Sequence, residues 1–424
     1  MPVIERLAGS EILDSRGNPT TGALCLLASG VAASASVPSG ASRGVAEAWE
    51  LRDGDPRRFR GLGCVKAAAN ISGEISRALA GERFETQAEL DRALIELDGT
   101  PNKSRLGANA ILAVSIAFAR ASAREKNVPL YRRFAEMLPA EPATLPRLTI
   151  NLFSGGKHAG QQVAIQDVLI VPARAAGIRE SLEMAHEIYY CAGEICLERY
   201  GMRMLTADEG GLAPDFRDAG EMIGTAVDAI RRAGFEPGSD VALALDVASS
   251  HFYHGGRYVI DGRETGAAEM IARIGEWVRR WPIVSVEDGL AEDDWEHWPA
   301  LRGAIEDRAL VVGDDLLCTN GARIRRAVSS RACNTLLLKV NQVGTLTEAA
   351  ESCRLAREAG WMVTISVRSG ETEDNWAADL AVGWAGDQFK NGSIRQSERL
   401  AKYNRLLEIE RETGWPLVKW PRRD

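Results

Sequence analysis

The stretch Val241-Ala-Leu-Ala-Leu-Asp246 is a short, continuously apolar run that ends in a carboxylate. Similar runs follow at 283–286, 310–312, 335–338 and 362–365, and the segments between them carry apolar residues at helical spacing. Short strands therefore alternate with helices, which predicts a parallel sheet. The apolar residues are continuous rather than alternating, which indicates that both faces of these strands are buried.

The residues that end these runs distinguish between two α/β architectures. A charged residue stands at the end of each strand. Successive charged residues are about 30 positions apart, which is the length of a βα unit. They are Asp246, Glu287, Asp314, Lys339 and Arg368. In a closed barrel such residues meet at the C-terminal mouth, where catalytic groups sit. A doubly wound sheet would usually carry a glycine-rich nucleotide turn, and no GxGxxG or GxxxxGK[ST] motif follows these strands. We therefore predict a (β/α)8-type barrel.

The first part of the chain predicts a different, α+β domain. Strand-like runs at 4–13 and 22–36 precede helical spacing of Ala, Leu and Ile between residues 65 and 126. A proline-rich stretch at 139–146 is the best candidate for a linker. The predicted organisation is an N-terminal α+β capping domain at 1–138, the linker at 139–146, and the barrel at 147–424.

Composition excludes several classes of protein. The 424 residues include 51 Lys and Arg against 59 Asp and Glu, a formal net charge of −8, which argues against nucleic-acid and anionic-membrane partners. No run approaches 18 apolar residues, and the charged N-terminus is unlike a signal peptide, so we expect a cytoplasmic protein. Seven cysteines without a CxxC pair, and only five histidines, exclude a disulfide framework and a structural zinc site of the usual spacing.

Three of the strand-end residues predict a metal site. Asp246, Glu287 and Asp314 would repel one another strongly at a single barrel mouth. A divalent cation removes that repulsion, and carboxylate oxygens suit octahedral Mg²⁺. The alternative interpretation is that the three residues are helix N-caps, since Asp commonly stands between a strand and a helix.

Lys339 ends the apolar run at 335–338 and would lie beside these carboxylates. A cation next to it would disfavour the ammonium form, so Lys339 is a candidate base near neutral pH. The alternative is a structural ion pair between Lys339 and a neighbouring carboxylate.

The chain resembles the enolase family along almost its whole length. The matching segments are Asp14-Ser-Arg-Gly-Asn-Pro-Thr20, Val37-Pro-Ser-Gly-Ala-Ser-Arg-Gly44, Leu51-Arg-Asp-Gly-Asp55, Asn102-Lys-Ser-Arg-Leu-Gly-Ala-Asn-Ala110, Asp208-Glu-Gly-Gly-Leu-Ala-Pro214, Ala291-Glu-Asp-Asp-Trp295, Leu338-Lys-Val-Asn-Gln-Val-Gly-Thr345, Arg368-Ser-Gly-Glu-Thr-Glu-Asp374 and Ser397-Glu-Arg-Leu-Ala-Lys402. One such segment alone is weak support, whereas nine in the same order are specific to the family.

This resemblance implies an enolase-like barrel with a capping domain, a Mg²⁺-dependent lyase activity with two Mg²⁺ per active site, and at least a homodimer. The implied metal ligands are Asp246, Glu287 and Asp314, with Ser42 of a mobile lid at the second Mg²⁺. The other implied roles are Lys339 as the base for the α-proton, Glu209 at the departing β-hydroxyl, His158 on a second closing loop, Lys390 at the substrate carboxylate, and Arg368 with Ser369 at the phosphate.

The departures from the family pattern lie close to these residues. Val367 replaces a histidine. Asp167, a candidate catalytic residue that follows the candidate substrate-binding residue Gln166, replaces a glutamate. The remaining departures are Arg43 for Thr, Ser154 for Asn, Gly289 for Pro, and a changed ending at 415–420. We interpret Val367 as an apolar wall, Asp167 as an enlargement of the pocket, and Arg43 as a cation for an additional anionic group of the substrate; a solvated charge on the lid is the alternative for Arg43.

These changes favour a specialised member of the family over a housekeeping enzyme. The expected substrate is a small phosphorylated or phosphonylated anion, bulkier and more negative than 2-phosphoglycerate. A relative with such a task is carboxyphosphonoenolpyruvate synthase of phosphonate biosynthesis, which resembles enolase. Two alternatives stay open: an ordinary glycolytic enolase that tolerates the changes, and a non-catalytic binding protein with the same fold. The retained Lys339, Glu209 and Lys390 argue against the last.

Overall fold

The chain begins with a three-stranded antiparallel sheet, as the sequence predicts. The computed structural model describes residues 2–41, 43–139 and 141–419. In it β1 (Ile4–Leu13), β2 (Pro19–Leu27) and β3 (Ala32–Ser36) pair in that order. The turn between β1 and β2 contains Gly17, whose φ of 72° is a left-handed conformation that favours glycine.

Five helices complete the N-terminal part of the structure. They are α1 (Val65–Asn70), which continues through a π-helical turn at Ile71–Ile75 into α2 (Ser76–Leu79), then α3 (Gln87–Asp98), α4 (Ala108–Glu125) and α5 (Leu130–Ala135). Helix α4 is apolar almost all round and is buried along nearly its whole length, where it packs against β2 and β3. This is the buried helix that its run of small and apolar residues predicts.

Eight strands form a closed barrel in the second part of the chain. They are β4 (Arg147–Ser154), β5 (Asp167–Val171), β6 (Ala242–Asp246), β10 (Ile283–Glu287), β11 (Leu310–Gly313), β12 (Thr335–Leu338), β13 (Met362–Ser366) and β14 (Gln388–Lys390). A small separate sheet follows β6, built from β7 (Tyr253–His254), β8 (Arg257–Ile260) and β9 (Arg263–Thr265). The barrel and the α+β cap confirm the predicted fold class.

Eight helices accompany the barrel strands. They are α6 (Ile178–Tyr200), α7 (Ala219–Arg232), α8 (Ala267–Arg280), α9 (Trp298–Ile305), α10 (Gly321–Ser330), α11 (Leu346–Glu358), α12 (Trp376–Gly383) and α13 (Ser397–Thr413). Both α6 and α7 lie between β5 and β6, whereas each later strand is followed by one of the remaining helices. No helix in the described part of the chain is both long and apolar enough to cross a lipid bilayer.

The strands predicted after residue 240 are parallel, and one earlier strand of the barrel departs from that arrangement. β5 runs antiparallel to both β4 and β6, because β4 and β5 are joined by a loop at 155–166 instead of a helix. The first residue of β5, Asp167, therefore pairs with the last residues of its two neighbours, Ser154 and Asp246. The reversal brings Asp167 to the same end of the barrel as the carboxyl ends of the parallel strands.

The cap and the barrel are joined by polar contacts between charged side chains. Lys103 Nζ lies 2.9 Å from Glu348 Oε1, and Arg120 pairs with Asp374. The backbone of Ser39 exchanges two hydrogen bonds with that of Gly370, at 2.8 and 2.9 Å. A Cβ atom on Gly370 would lie 2.7 Å from the Ser39 carbonyl oxygen, so this close approach requires glycine. These contacts hold the loop after β3 over the barrel mouth.

Candidate active site

The barrel mouth contains a small, strongly charged pocket. It is lined by residues from seven of the barrel strands' ends and from the loops around them: Ala41, His158, Gln166, Glu209, Asp246, Ala248, His251, Asp288, Asp314, Asp315, Lys339, Ser366, Val367, Arg368, Ser369 and Lys390. The cavity volume in this arrangement is about 30 Å³, enough for about two water molecules.

Two lysines, the buried Lys390 and the partly buried Lys339, neutralise carboxylates at the bottom of the pocket. Lys390 Nζ donates to Asp246 Oδ2 and to Glu287 Oε2, both at 2.7 Å. Lys339 donates to Asp314 in the same way. Burial alone would lower the pKa of each lysine, but the neighbouring carboxylates outweigh it and raise the pKa of both. Both lysines are therefore ammonium ions in this arrangement, which is the ion pair that the sequence left open for Lys339.

The donor set here fits a hard divalent cation. Glu287 Oε1 is buried and has no hydrogen-bond partner among the described residues, so it is an oxygen ready for a further ligand. Burial, together with the charge of Asp246, raises the pKa of Glu287 well above its usual value, and a bound cation would reverse that cost. All the groups involved are oxygen ligands, the type that Mg²⁺ prefers.

The structure adds two carboxylates next to Asp314 that the sequence analysis did not select. Oxygens of Asp288, Asp314 and Asp315 lie within 4.8 Å of one another. The Asp288 carboxylate accepts the backbone N–H groups of Asp314 and Asp315 at 2.9 and 2.8 Å. Asp288 and Asp315 stand immediately after the strand-end residues Glu287 and Asp314. Selecting the last two residues at each strand end would therefore have identified them from the sequence.

His158 and Asp167 form a second charged group on the opposite wall, together with Glu209. Asp167 Oδ2 lies 3.2 Å from His158 Nδ1, and its Oδ1 accepts the Ser154 hydroxyl at 2.7 Å. His158 Nε2 faces Glu209 Oε1 at 3.8 Å, and Glu209 Oε2 accepts the Asn151 amide at 3.0 Å. Ser154, Asp167, His158 and Glu209 thus form a continuous chain of polar contacts.

The charges of this chain fix its protonation. Burial would lower the pKa of His158, but Asp167 and Glu209 outweigh it and raise the pKa to about 9. Burial raises the pKa of Asp167 to about 6 in spite of the histidine. For Glu209, His158 and more distant cations outweigh burial and lower the pKa. At neutral pH the wall therefore holds an imidazolium between two carboxylates.

Asp167 is not among the residues that line the pocket itself. Its carboxylate contacts the Ser154 hydroxyl and the His158 ring. Val367 is 6% exposed and lines the pocket, so the apolar wall is present. Gln166 also lies where expected, with its amide 3.1 Å from Asp246 Oδ2.

Arg368, the predicted phosphate contact, forms an ion pair with Glu47 of the cap. Its guanidinium lies 3.1 Å from Glu47 Oε2 and donates to Asn341 Oδ1 at 3.1 Å. Burial would lower the pKa of Arg368, and Glu47 raises it instead. The neighbouring Ser369 hydroxyl accepts the backbone N–H of Ala41 at 2.9 Å. Glu47 has no recognisable sequence signal, because its partner lies 321 positions further along the chain.

One predicted residue of the lid, Arg43, stands apart from the other candidates. Arg43 is exposed, donates to the carbonyl oxygens of Glu47 and Ala48 at 3.1 Å each, and stacks over Trp49 with its guanidinium carbon 4.6 Å from the ring centroid. The structure therefore does not bring Arg43 into the pocket with the other candidates. Ser42 lies outside the described residues.

Two family models match the chain in succession. The model described as enolase, N-terminal domain, matches residues 4–134, and the model described as enolase, C-terminal TIM barrel domain, matches residues 142–418. The two matches follow the same division as the observed cap and barrel.

Proposed function

The chain belongs to the enolase family, and from this premise we propose that it removes the proton α to a carboxylate and eliminates the β-hydroxyl of a 2-phosphoglycerate-like substrate. The product is an enolpyruvate that carries a phosphate or phosphonate group. The observation that carries this proposal is the pocket itself, in which Lys339, Glu209 and Lys390 face one another beside the carboxylates Asp246 and Asp314.

Asp246, Glu287 and Asp314 are the residues that would hold Mg²⁺ in this proposal, with two ions per site. When bound, such cations supply positive charge to the carboxylate oxygens of the substrate, which makes the α-proton more acidic. With Asp314 engaged as a ligand, Lys339 would lose the carboxylate that now keeps it charged. Loss of that partner would lower the pKa of Lys339 and make it a competent base.

In the proposed reaction each proton and each electron pair is accounted for. Lys339 takes the proton from the α-carbon, and the electron pair of that C–H bond forms the new double bond. The β-carbon–oxygen bond breaks, and the hydroxyl leaves as water with a proton from the wall formed by His158 and Glu209. His158 is the proton store of this wall because Asp167 keeps it charged at neutral pH.

Val367 is an apolar residue in the pocket wall at the position where the family places a histidine. The charged imidazole of this pocket is His158, which the resemblance to the family also implies and which Asp167 and Ser154 orient. We therefore favour a specialised member of the family, on a substrate bulkier and more negative than 2-phosphoglycerate, in the manner of carboxyphosphonoenolpyruvate synthase. An ordinary enolase acting on 2-phosphoglycerate is the second candidate, because the retained Lys339 and Glu209 suit both reactions.

The test is exchange of the α-proton in deuterium oxide with Mg²⁺ present, followed by NMR, together with the absorbance of the enolpyruvate product. We expect exchange with 2-phosphoglycerate but slow net elimination. Turnover at about 10–100 s⁻¹, the ordinary range of enzymes, would favour the glycolytic reaction. Absence of exchange with every phosphorylated or phosphonylated hydroxy acid tried would contradict the proposed chemistry.

A further inference from the structure

A second cavity lies against the catalytic pocket and shares one wall residue with it. This side cavity, as we call it, has a volume of about 310 Å³, and its wall includes Gly156, Lys157, Val163, His251 and Asp261. His251 also lines the catalytic pocket. A substituent on a ligand bound in the catalytic pocket would therefore find space on the other side of His251.

The loop at 155–166 separates the two spaces. Gly156 and Val163 face the side cavity, whereas His158 and Gln166 face the catalytic pocket. A Cβ atom on Gly155 would lie 2.3 Å from a Val163 side-chain carbon, so the two arms of the loop pack tightly together. The side cavity is thus built by the same loop that supplies the charged histidine of the active site.

His251 has an unused hydrogen-bonding atom at this junction. Its Nδ1 is buried and has no partner among the residues that the structure describes. Burial, together with the charge of Lys157, lowers the pKa of His251 to about 4, so its ring is neutral at pH 7. A buried, unpartnered nitrogen is costly unless a ligand or water completes it.

The charges of the side cavity favour an anion. Of its charged wall residues in the described part of the chain, Arg217 is paired with Glu221 at 3.2 Å and Asp261 with Arg273 at 2.7 Å. Among the described residues, Lys157 is the cation of this wall that has no such carboxylate partner. An oxyanion in the cavity would meet this ammonium group and the neutral imidazole of His251.

We propose that the side cavity is an extension of the active site that binds an anionic substituent on the β-carbon of the substrate, with His251 at the junction and Lys157 as the counter-ion. This inference rests on the proposed elimination reaction and specifies its substrate class. The substrate is a 2-phosphoglycerate analogue in which one hydrogen of the hydroxymethyl carbon is replaced by a carboxylate or phosphonate.

The test compares two probes on the full chain with Mg²⁺: 2-phosphoglycerate, and 2-phosphotartrate, which differs from it by a carboxylate on the β-carbon. The kcat/KM for α-proton exchange and the Kd from calorimetry are measured for both. The wild-type protein should prefer 2-phosphotartrate by about tenfold or more, the effect of one added charged contact. Equal preference, or preference for 2-phosphoglycerate, would overturn the proposal.

Two variants identify the contacts. K157A should reduce the preference for 2-phosphotartrate about tenfold, and H251F, which fills the junction, should reduce it as well. Lys126, a surface lysine of the cap that pairs with Glu136, is the matched control, and K126A should leave the preference unchanged. A preference that survives K157A would overturn the assignment of the cavity.

The calorimetric ratio separates this inference from the proposed reaction. If neither probe exchanges its proton, the elimination chemistry is wrong, but the ratio of the two Kd values still decides whether the side cavity binds the extra carboxylate. If both probes exchange at equal rates and bind equally well, the chemistry stands and the side cavity has no part in substrate binding.

Discussion

The Asp167 carboxylate holds the His158 imidazole through a contact of 3.2 Å between Oδ2 and Nδ1. The antiparallel direction of β5 makes this contact possible, because it brings the first residue of that strand to the barrel mouth. The shorter side chain of Asp167, compared with the family's glutamate, is matched by the serine at 154, whose hydroxyl reaches it at 2.7 Å. The two departures from the family pattern therefore act together on one histidine.

This pair predicts a bell-shaped pH dependence of kcat/KM. The rate should fall as the pH rises through about 9, where His158 loses its proton, and as the pH falls through about 6, where Asp167 gains one. In S154A the carboxylate loses a hydrogen-bond donor, so the pKa of Asp167 rises and the acidic limb should move upward. Steady-state rates between pH 5 and 10 measure both limbs. A profile without limbs in this range would contradict the role of the pair.

Replacement of Val367 by His should restore part of the ordinary enolase reaction. One well-placed proton donor typically contributes about 10²–10⁴-fold, so V367H should raise kcat for 2-phosphoglycerate by at least about tenfold. D167E combined with V367H should add to the gain only if Ser154 and His158 make room for the longer side chain. V367L, which is apolar and of similar size, is the control, and a similar gain in it would point to packing instead of proton transfer.

The metal site predicts a loss of affinity in D246N. Replacement of one carboxylate oxygen by an amide should weaken Mg²⁺ binding about tenfold or more, the range known for perturbed metal sites. Isothermal titration of Mg²⁺ into the wild-type protein and the variant measures the change. D240N changes an exposed ion pair with Arg174 and should leave the titration unaltered. The same Kd in D246N would remove Asp246 from the set of ligands.

If Lys339 is the base, its replacement should affect exchange of the α-proton much more than binding of the substrate. K339A should lower α-proton exchange by more than about 10²-fold, while the Kd of 2-phosphoglycerate in the presence of Mg²⁺ changes far less. The readouts are deuterium incorporation by NMR and calorimetry. Since the lysine is partly buried against Asp314, K339M, which keeps much of its volume, is the companion variant. Near-normal exchange in both would mean that another residue is the base.

The ion pair between Glu47 and Arg368 predicts competition with substrate. E47Q removes an internal anion from the predicted phosphate contact, so the Kd for inorganic phosphate should fall several-fold. The same change leaves a buried guanidinium less well paired, and the free energy of unfolding should fall by about 3 kcal/mol. Phosphate titration and urea denaturation measure the two effects. E50Q, in the same loop, is the control, and identical phosphate affinities in all three proteins would contradict the competition.

Much of the barrel could be predicted because each strand is marked by residues within its own short segment of sequence. Each run of β6 and of β10 to β13 carries its own apolar residues and its own terminal charge, so the strands and their common mouth follow from short segments. Strand β14 was not found from its residues, since it has only three residues, and Lys390 was assigned from the family resemblance. Likewise β5 has no helix before it, so the spacing rule that predicted parallel strands gave no sign of its reversal.

The candidate site was predictable where one residue acts alone and less so where two distant residues act together. Asp246, Asp314 and Lys339 stand at strand ends and lie in the pocket as expected. Glu47 was missed because its importance comes from Arg368, which faces it across the fold. Arg43 was overvalued, since its charge could be read from the sequence but its stacking on Trp49 could not. The domain boundaries, the homodimer and the roles of individual site residues stay predictions.

The two lysines that pair with the strand-end carboxylates also bear on the order of folding and metal loading. Small zinc domains stay unfolded until the metal arrives, because nothing else compensates their ligands. Here Lys390 and Lys339 act as internal counter-ions for Asp246, Glu287 and Asp314. The barrel can therefore fold before any divalent ion is present. A chelator should abolish the enzymatic activity without unfolding the protein.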